Sequence, residues 1–370
     1  MTRSPADLRA DIPATEDVAY FNTGASGPSP RRVVDAVCEG QAAHSYDSPG
    51  HEGMYPAAYD QFDRTREAVA GLLGASPEEI ALTQSTTDGV NLIAGSLDWQ
   101  PGDVVVRTDL EHPGGILPWR RLEDTHGVEV RVVESDGGYV DLDDFAAAVS
   151  DARLVCLSSL SWNYGTRLPV AAVTELAHEA GARVLVDAVQ SPGQMSVDVD
   201  DWGIDFLAGA GHKWLLGPWG AGFLYVDEDA LDAVTPQRVG GRSVVESTAH
   251  DYEFEPSAAR LEVSTKSVAS YTGLAEAVAL VRDVGLGTIE DRIRTLTDRL
   301  KAGLPDDALV SPREYESGLV SFRVDDPEAF VDRVKDDDIV IRSLPYPDCV
   351  RASVHVFNTP AEIDALLAHV

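Results

Sequence analysis

The sequence contains only four lysines, and one of them, Lys213, lies in a segment where a charge is costly. Its surroundings, AGAGHKWLLGPWGAG, combine glycines with large apolar side chains and offer no adjacent acid. An ammonium group without a partner is unfavourable to bury, so this lysine is expected either to reach the surface along its aliphatic stem or to be needed as an amine. A neutral lysine amine is a nucleophile that forms Schiff bases with carbonyl compounds.

Further polar groups follow strand-like segments of the sequence. Asp187 comes directly after ARVLV, where its carboxylate either pairs with a cation or takes part in a turn. Thr86 and Thr87, in QSTTDGVNL, stand at a strand-to-helix junction, where backbone N–H groups bind an anion or the hydroxyls simply cap the helix. A lysine, a carboxylate and an anion-binding helix start together match the needs of pyridoxal phosphate, which has an aldehyde, a ring nitrogen and a phosphate.

The elements that would position these groups alternate from about residue 65. Helical segments such as QFDRTREAVAGLLGA and LPVAAVTELAHEAGA alternate with short apolar runs. This pattern is typical of an α/β fold with a mostly parallel sheet between helices. Ligands bind beyond the carboxyl ends of the strands in such sheets, so the polar residues there are the candidate site residues. The predicted strands are EEIALTQ, DVVVRTD, VEVRVVE, ARLVCLSSLSW, ARVLVDAVQ, IDFLAGA and GAGFLYV.

The pattern changes after about residue 255. Two long helices are predicted first, SVASYTGLAEAVALVRDVG and GTIEDRIRTLTDRLKAGL, and strands mixed with helices follow them. The sequence therefore predicts a large domain over residues 21–255 and a smaller α+β domain over residues 256–370. Residues 1–20 are expected to form an N-terminal arm that packs with the small domain.

Acidic residues outnumber basic ones by 62 to 29, which gives a formal net charge of −33. Because the acids are spread along a chain that is 44% hydrophobic, we expect a folded, halophilic protein with an acidic surface adapted to a salt-rich cytosol. Repulsion of phosphate argues against a nucleic-acid partner. No segment approaches the roughly 18 apolar residues of a membrane span. The first residues lack the apolar core of a signal peptide, so a cytoplasmic protein is expected.

Other kinds of site find little support in the sequence. The three cysteines form no CxxC pair, and the nine histidines include no HExxH, which argues against a disulfide framework and against a metal site. GAGHKW lacks both the P-loop spacing and a GxGxxG after a strand, which argues against a nucleotide-binding module.

Four motifs in this order resemble the class V aminotransferase family of fold type I pyridoxal-phosphate enzymes: LTQSTTDGVNL, LEHPGGILPW, VLVDAVQSPG and GAGHKWLLGPWG. The resemblance runs from YFNTGASGP to VRASVHVFNTPAEIDALL, nearly the full chain. Within the family the chain is similar to the cysteine desulfurase and selenocysteine lyase branch. The segments EHPGG, LSSLSWNYGTRLPV, GHKWLLGPWGAG, VGGRSV and IRSLPYPDCVRAS look most like a cyst(e)ine C–S lyase. The resemblance implies an enzyme that uses pyridoxal phosphate on a sulfur-containing amino acid.

The resemblance also implies a role for each candidate residue. Lys213 would bind the cofactor covalently and move the Cα proton, Asp187 would pair with the pyridine nitrogen, and His112 would stack on the ring and relay protons. The cofactor's phosphate and ring hydroxyl would be bound by Thr86, Thr87, Asn163, Gln190, His212 and, from the neighbouring subunit of a homodimer, Thr265. The substrate would be bound by Arg351 through a fork on its carboxylate, and by Arg342, Asn22 and Ala25.

Two departures from the family pattern bear on the reaction. Ala210 stands just before GHK, where many desulfurases carry a hydroxyl residue on the phosphate. Desulfurases also carry a nucleophilic cysteine on a loop after the position of Arg342, whereas the corresponding segment here, RSLPYPDCVRAS, is short. Its Cys349 directly precedes a strand and is predicted to be structural. Cys156 and Cys38 are predicted to be core residues.

The missing loop cysteine, together with the likeness to a C–S lyase, favours β-elimination at the C–S bond, which yields pyruvate, ammonia and a sulfur product. A cysteine desulfurase or selenocysteine lyase and a class V aminotransferase remain alternatives, because all of them begin by removing the same Cα proton. A non-catalytic sulfur-transfer scaffold is disfavoured, since it does not need Lys213, Asp187 and His112 together.

Overall fold

A computed structural model of the protein describes residues 3–370 and has a seven-stranded sheet at its centre. Short smaller sheets accompany it. The strands are β1 Ala19–Tyr20, β2 Ile80–Thr83, β3 Val104–Thr108, β4 Glu129–Val133, β5 Ser135–Asp136, β6 Tyr139–Val140, β7 Ala152–Ser158, β8 Arg183–Asp187, β9 Phe206–Ala210, β10 Gly222–Val226, β11 Leu319–Phe322, β12 Ile339–Val340, β13 Arg342–Pro345 and β14 Asp348–Ser353.

Helices cover both faces of the central sheet and carry the chain between its strands. The α-helices are α1 Pro5–Ala10, α2 Ala14–Asp17, α3 Arg31–Ala42, α4 Met54–Leu73, α5 Thr86–Ser96, α6 Leu117–His126, α7 Leu142–Ala148, α8 Val170–Glu179, α9 Val199–Trp202, α10 Val268–Val284, α11 Leu286–Gly303, α12 Pro327–Lys335 and α13 Pro360–Leu367.

The central sheet has the strand order β2-β10-β9-β8-β7-β3-β4. Strand β10 is antiparallel to both of its neighbours, and the other pairings are parallel. Strands β2, β3, β7, β8 and β9 therefore all end at the same edge of the sheet. Polar residues that follow these strands are brought together there, because loops at the carboxyl ends of parallel strands share one side.

Alternating burial explains why these short apolar runs form central strands. Along β3, Val104 and Val106 enter the hydrophobic cluster on one face of the sheet, whereas Val105 enters the cluster on the other face. Strand β8 alternates in the same way, with Val184 and Val186 on one face and Leu185 on the other. Both faces are covered, so every position of such a strand is apolar until the strand reaches the edge.

The chain beyond α10 builds a second, smaller core. Strands β11, β14 and β13 form an antiparallel sheet, and α11, α12 and α13 pack on it around Phe322, Phe330 and Ile363. Strand β1, near the N-terminus, pairs in parallel with β12 of this region. The predicted α/β fold, a mostly parallel sheet between helices with a smaller α+β unit after it, is confirmed.

One prediction about the interior is wrong. Cys38, expected in the core, is exposed on α3. This helix is amphipathic and packs mainly against α10, with Gly40 against Thr272 and Val37 against Gly273, so that Cys38 faces away from the contact. Cys156 is fully buried in β7, as expected. None of the helices between residues 3 and 370 is long and apolar enough to cross a membrane.

Candidate active site

A cavity of about 190 Å³ opens at the carboxyl edge of the central sheet. Each of the strands β2, β3, β7, β8 and β9 contributes at least one residue from its end or the loop that follows it. The small sheet closes the cavity from the other side with two arginines of β13 and β14. The residues that line it are Gly24, Ala25, Ser85, Thr86, Thr87, His112, Trp162, Asp187, Val189, Gln190, His212, Lys213, Arg342 and Arg351.

Lys213 and Asp187 lie at the ends of neighbouring strands, as predicted. Asp187 is the last residue of β8, which pairs with β9, and Lys213 is in the loop that follows β9. Burial lowers the pKa of Lys213 to about 8; Asp187 opposes this shift, and Arg351 and Arg342 add to it. Burial also raises the pKa of Asp187, which accepts a hydrogen bond from the backbone N–H of Val189 at 3.1 Å. The lysine therefore loses its proton more easily than an ordinary lysine, and it becomes the neutral nucleophile above about pH 8.

The N-terminus of α5 points toward the cavity. Ser85 caps this helix by accepting a hydrogen bond from the N–H of Asp88 at 3.1 Å, and Thr86 and Thr87 form the first turn. Within residues 3–370 the buried hydroxyl of Thr86 has no hydrogen-bond partner. A helix start with a free hydroxyl and free N–H groups is suited to bind a phosphate.

Two histidines flank the lysine and are neutral. Burial, together with the charges of Lys213, Arg342 and Arg351, lowers the pKa of His112 to about 4. Its ring stands edge-on to Trp162, with centroids 5.7 Å apart, and its Nδ1 accepts from the N–H of Gly114 at 3.4 Å. Burial, with a contribution from Lys213, also lowers the pKa of His212 to about 4. Both rings are therefore neutral at pH 7.

Arg351 offers a free edge to the cavity. The residue is 1% exposed, and its Nη1 donates to the carbonyl of Trp162 at 2.6 Å. Its Nε and Nη2 are buried and have no partner in the described part of the chain. These two nitrogens form the side of the guanidinium that binds a carboxylate through two parallel hydrogen bonds. Gly24 leaves room for this group, since a Cβ at position 24 would lie 2.9 Å from Nη2.

Arg342 is the second arginine of the cavity. It lies directly opposite Arg351 in the β13–β14 register, and its side chain is exposed where the cavity opens. No carboxylate in residues 3–370 forms an ion pair with it. With Lys213, the cavity thus presents cationic groups against the single carboxylate of Asp187. An anionic ligand is favoured inside a protein whose net charge is −33.

Gln190 lines the cavity, but both ends of its side-chain amide form hydrogen bonds to other residues of the chain. Its Nε2 donates to the carbonyl of Gly24 at 3.0 Å, and its Oε1 accepts from the indole N–H of Trp214 at 2.7 Å. Gln190 thereby connects the N-terminal segment to the residue after Lys213.

Three predicted site residues do not line the cavity. Asn163 is buried, and its side chain bonds Ser161 and the carbonyl of Tyr346. Asn22 forms a β-bridge with Ser353 and is not among the lining residues. Thr265 lies elsewhere, in a separate cavity of about 230 Å³. In a single chain it contributes nothing to the first cavity.

Sequence reasoning missed several lining residues. Trp162 and Gly24 did not figure as candidates, although each precedes a predicted site residue by one position. Ser85 was not among the candidates, although a serine three residues before an acidic residue is a typical start of a helix, and Ser85 does cap α5 through the N–H of Asp88. A pattern of residue types does not reveal which side of a loop faces a ligand.

None of the three cysteines is among the residues that line the cavity. Cys349 lies in β14 with 0% exposure, and burial raises the pKa of its thiol to about 11. Cys156 is equally buried, and Cys38 lies on the far surface of α3. Among the described residues, no thiol lines the cavity.

The cavity fits pyridoxal phosphate on these observations. The free hydroxyl of Thr86 at the start of α5 suits the phosphate, the carboxylate of Asp187 suits a ring nitrogen, and the amine of Lys213 suits the aldehyde. Ala210 at the end of β9 supplies no hydroxyl for the phosphate.

Comparison with known proteins agrees with this chemistry. Residues 19–366 match the family described as aminotransferase class V. The chain is 34% identical to a probable cysteine desulfurase of Methanothermobacter thermautotrophicus, covering 97% of this chain and 96% of that one. An apo cysteine desulfurase from Thermococcus onnurineus is 32% identical, with a TM-score of 0.93, and covers 100% and 97% of the two chains.

A second kind of enzyme is about as similar in structure. The cystine C–S lyase C-DES, solved with its reaction product cysteine persulfide, is 29% identical, with a TM-score of 0.91, over 96% of this chain and 98% of that one. A mutant of C-DES has been solved with glycine covalently linked to its pyridoxal phosphate cofactor.

The lowered pKa of Lys213 predicts how the protein without cofactor captures pyridoxal phosphate. Below about pH 8 the amine is protonated and cannot attack an aldehyde, and above it the amine is neutral. The capture rate, followed by absorbance, should therefore rise with pH through a midpoint of about 8. The exposed Lys335→Ala variant should behave identically. A midpoint near the ordinary lysine pKa of about 10.4 would show that Lys213 is not the amine that captures the cofactor.

Proposed function

The chain belongs to the class V aminotransferase family of pyridoxal-phosphate enzymes, and from this premise we propose that it cleaves the C–S bond of L-cystine by β-elimination. One half of cystine would leave as cysteine persulfide. The other half, after addition of water, would give pyruvate and ammonia. The observation that carries the proposal is the absence of any thiol from the cavity lining in residues 3–370.

A desulfurase transfers sulfur to a cysteine of its own, and that thiol must reach the substrate as a thiolate. Cys349 is buried in a strand, and burial keeps its thiol protonated by raising its pKa to about 11. A thiol in this state is a poor nucleophile. If the sulfur leaves on the departing half of the substrate instead, no acceptor cysteine is required.

The two arginines support a substrate that has two carboxylates. Arg351 presents a free fork inside the cavity, and Arg342 presents an unpaired guanidinium at its mouth. Cysteine carries one carboxylate, whereas cystine carries one at each end of its disulfide. Arg351 would hold the carboxylate of the half that is cleaved, and Arg342 would hold that of the departing half.

The chain's own residues would divide the work of the reaction. Bound pyridoxal phosphate supplies an electron sink for the charge that develops as the Cα proton leaves. Lys213, neutral above about pH 8, would accept that proton at its Nζ. Asp187 would keep a proton on the ring nitrogen, and the start of α5 would fix the phosphate. His112, neutral at pH 7, would pack on the ring and donate through Nε2.

Cysteine desulfurase activity is the second candidate, because similar proteins carry that name. It differs from the first in one requirement, a cysteine that accepts sulfur. Cys349 is the candidate closest in sequence to Arg351, and it would have to leave β14 to act.

We also propose that the enzyme works as a homodimer. Thr265 borders the second cavity, with Tyr55 and Met54, which are 60% and 43% exposed. An exposed apolar surface of this kind is suited to a protein partner. From a second copy, Thr265 would reach the phosphate as the family resemblance implies.

Product analysis tests the proposed reaction. In high salt with pyridoxal phosphate, L-cystine should give pyruvate without an added keto acid, and Cys349→Ala should retain the rate within about threefold, because the thiol has no part in the chemistry. Cys38→Ala is the matched surface control. Alanine formed from L-cysteine, with sulfide released when a thiol reductant such as dithiothreitol is added, and both lost in Cys349→Ala, would instead establish a desulfurase.

The role of Arg342 can be separated from that of Arg351. Arg342→Ala should raise the KM for cystine by roughly 10-fold, through loss of one charge-assisted contact, and should leave the KM for cysteine nearly unchanged. Arg323→Ala, at an exposed position of the same small domain, is the control. Equal losses for both substrates would show that Arg342 does not recognise a second carboxylate.

Arg351→Lys keeps the positive charge and removes the fork. A charge-assisted hydrogen bond contributes about 1.5–3 kcal/mol, so the KM for cystine should rise roughly 10- to 150-fold. Arg299→Lys, which alters an exposed pair with Asp364, should leave the kinetics unchanged. An unchanged KM in Arg351→Lys would mean that the substrate carboxylate binds elsewhere.

A further inference from the structure

An aromatic stack from the small domain reaches the residue that follows Lys213. The Trp214 ring stacks on His355, with centroids 5.5 Å apart and planes at 20°, and His355 stacks on Phe357 at 5.0 Å and 13°. Trp214 belongs to the loop after β9 of the central sheet, whereas His355 and Phe357 follow β14 of the small sheet. All three rings are at most 1% exposed. The stack therefore joins the two sheets at the loop that carries the lysine.

The hydrogen bonds of His355 define which of its nitrogens carries the proton. Its Nδ1 accepts from the backbone N–H of Val356 at 2.7 Å. Burial lowers the pKa of His355 to about 4, so the ring is neutral at pH 7 and its single proton lies on Nε2. Nε2 then donates to the carbonyl oxygen of Trp214 at 2.9 Å. His355 thus holds Trp214 by both its ring and its backbone.

The far side of Trp214 is held by the cavity itself. Its indole N–H donates to Gln190, whose own amide donates to Gly24, and both of these residues line the cavity. Space around the indole is closely filled, since a Cβ at Gly318 would lie 2.7 Å from the Trp214 ring. Trp214 has no freedom to shift without disturbing one of these contacts.

The loop itself is in a conformation that needs external support. Leu216 has a φ of 59°, in the left-handed region that non-glycine residues rarely adopt. Its N–H donates to the carbonyl of Lys213 at 3.0 Å, which closes a tight turn beginning at the lysine. Such backbone persists only where the surrounding structure fixes it. Trp214 lies inside this turn, and the contacts that His355 makes to it support the turn from the small domain.

We infer that His355 is a positioning residue for Lys213, acting through its hydrogen bond to the Trp214 carbonyl and its stack on the Trp214 ring. These contacts fix the point from which the lysine side chain enters the cavity, and with it the distance from Nζ to Asp187. The inference rests on the proposed role of Lys213 as the residue that binds pyridoxal phosphate. It does not depend on which sulfur product leaves.

Two substitutions of His355 separate its hydrogen bond from its packing. His355→Phe keeps an aromatic ring on Trp214 and removes the donor, whereas His355→Gln places an amide N–H near the position of Nε2. For the protein freed of cofactor, we expect His355→Phe to capture pyridoxal phosphate about 10-fold more slowly, with a shifted pH midpoint of capture. His355→Gln should restore the rate to within about threefold of the unmodified protein.

Ile363→Val is the matched control for a purely structural effect. Ile363 is fully buried in the same small domain. Removing one methylene group from it should lower the melting temperature without altering the contacts to Trp214. The inference predicts normal capture by Ile363→Val. If His355→Phe melts at a lower temperature, like the control, but captures pyridoxal phosphate at the normal rate and pH midpoint, His355 is only structural and the inference is wrong.

Lys213→Ala, measured alongside, separates this inference from the proposed function. If Lys213→Ala still acquires the absorbance of covalently bound pyridoxal phosphate, the role of Lys213 fails and the inference fails with it. If Lys213→Ala stays colourless while His355→Phe captures normally, the inference alone fails.

Discussion

The burial of a lysine amine beside a single carboxylate is the constraint on which this structure depends. Lys213 lies with Arg342 and Arg351 in one small cavity, and only Asp187 offsets their charge there. Desolvation and like charge lower the pKa of such an amine to about 8, which is costly for stability and useful for chemistry. The parallel order of the sheet makes the arrangement possible, because it ends β8 and β9 side by side. The small sheet completes it with the two arginines of β13 and β14.

The sequence predicted the fold and the centre of the cavity because both depend on local patterns. Apolar runs between helical segments determine a parallel sheet, and a polar residue directly after a strand must lie at its edge, as Asp187 does. For residues farther along a loop, the sequence predicted the position less accurately. Asn163 and Asn22 face other parts of the protein, and Cys38 lies on the exposed side of a helix whose partner, α10, is far away in sequence. These positions depend on tertiary packing that residue type and spacing do not encode.

Charge is distributed in opposite ways on the surface and in the cavity. The chain carries 62 acidic residues, yet the cavity concentrates cationic side chains and the positive end of α5. This contrast directs anionic groups inward, where Arg351 has a buried free edge to receive one. In the proposed reaction, selection among sulfur-containing amino acids would depend on how many carboxylates the ligand carries. In the same proposal, the choice between releasing sulfur and transferring it would depend on whether a thiol can reach the cavity.

The most direct test of this account is to find which of the four lysines binds the cofactor. The protein is incubated with pyridoxal phosphate, reduced with borohydride, digested and mapped by mass spectrometry. The account predicts one modified peptide, which contains Lys213, because this amine alone combines a pKa of about 8 with a place in the cavity at the sheet edge. Modification confined to Lys266, Lys301 or Lys335, or no modification at all, would contradict it.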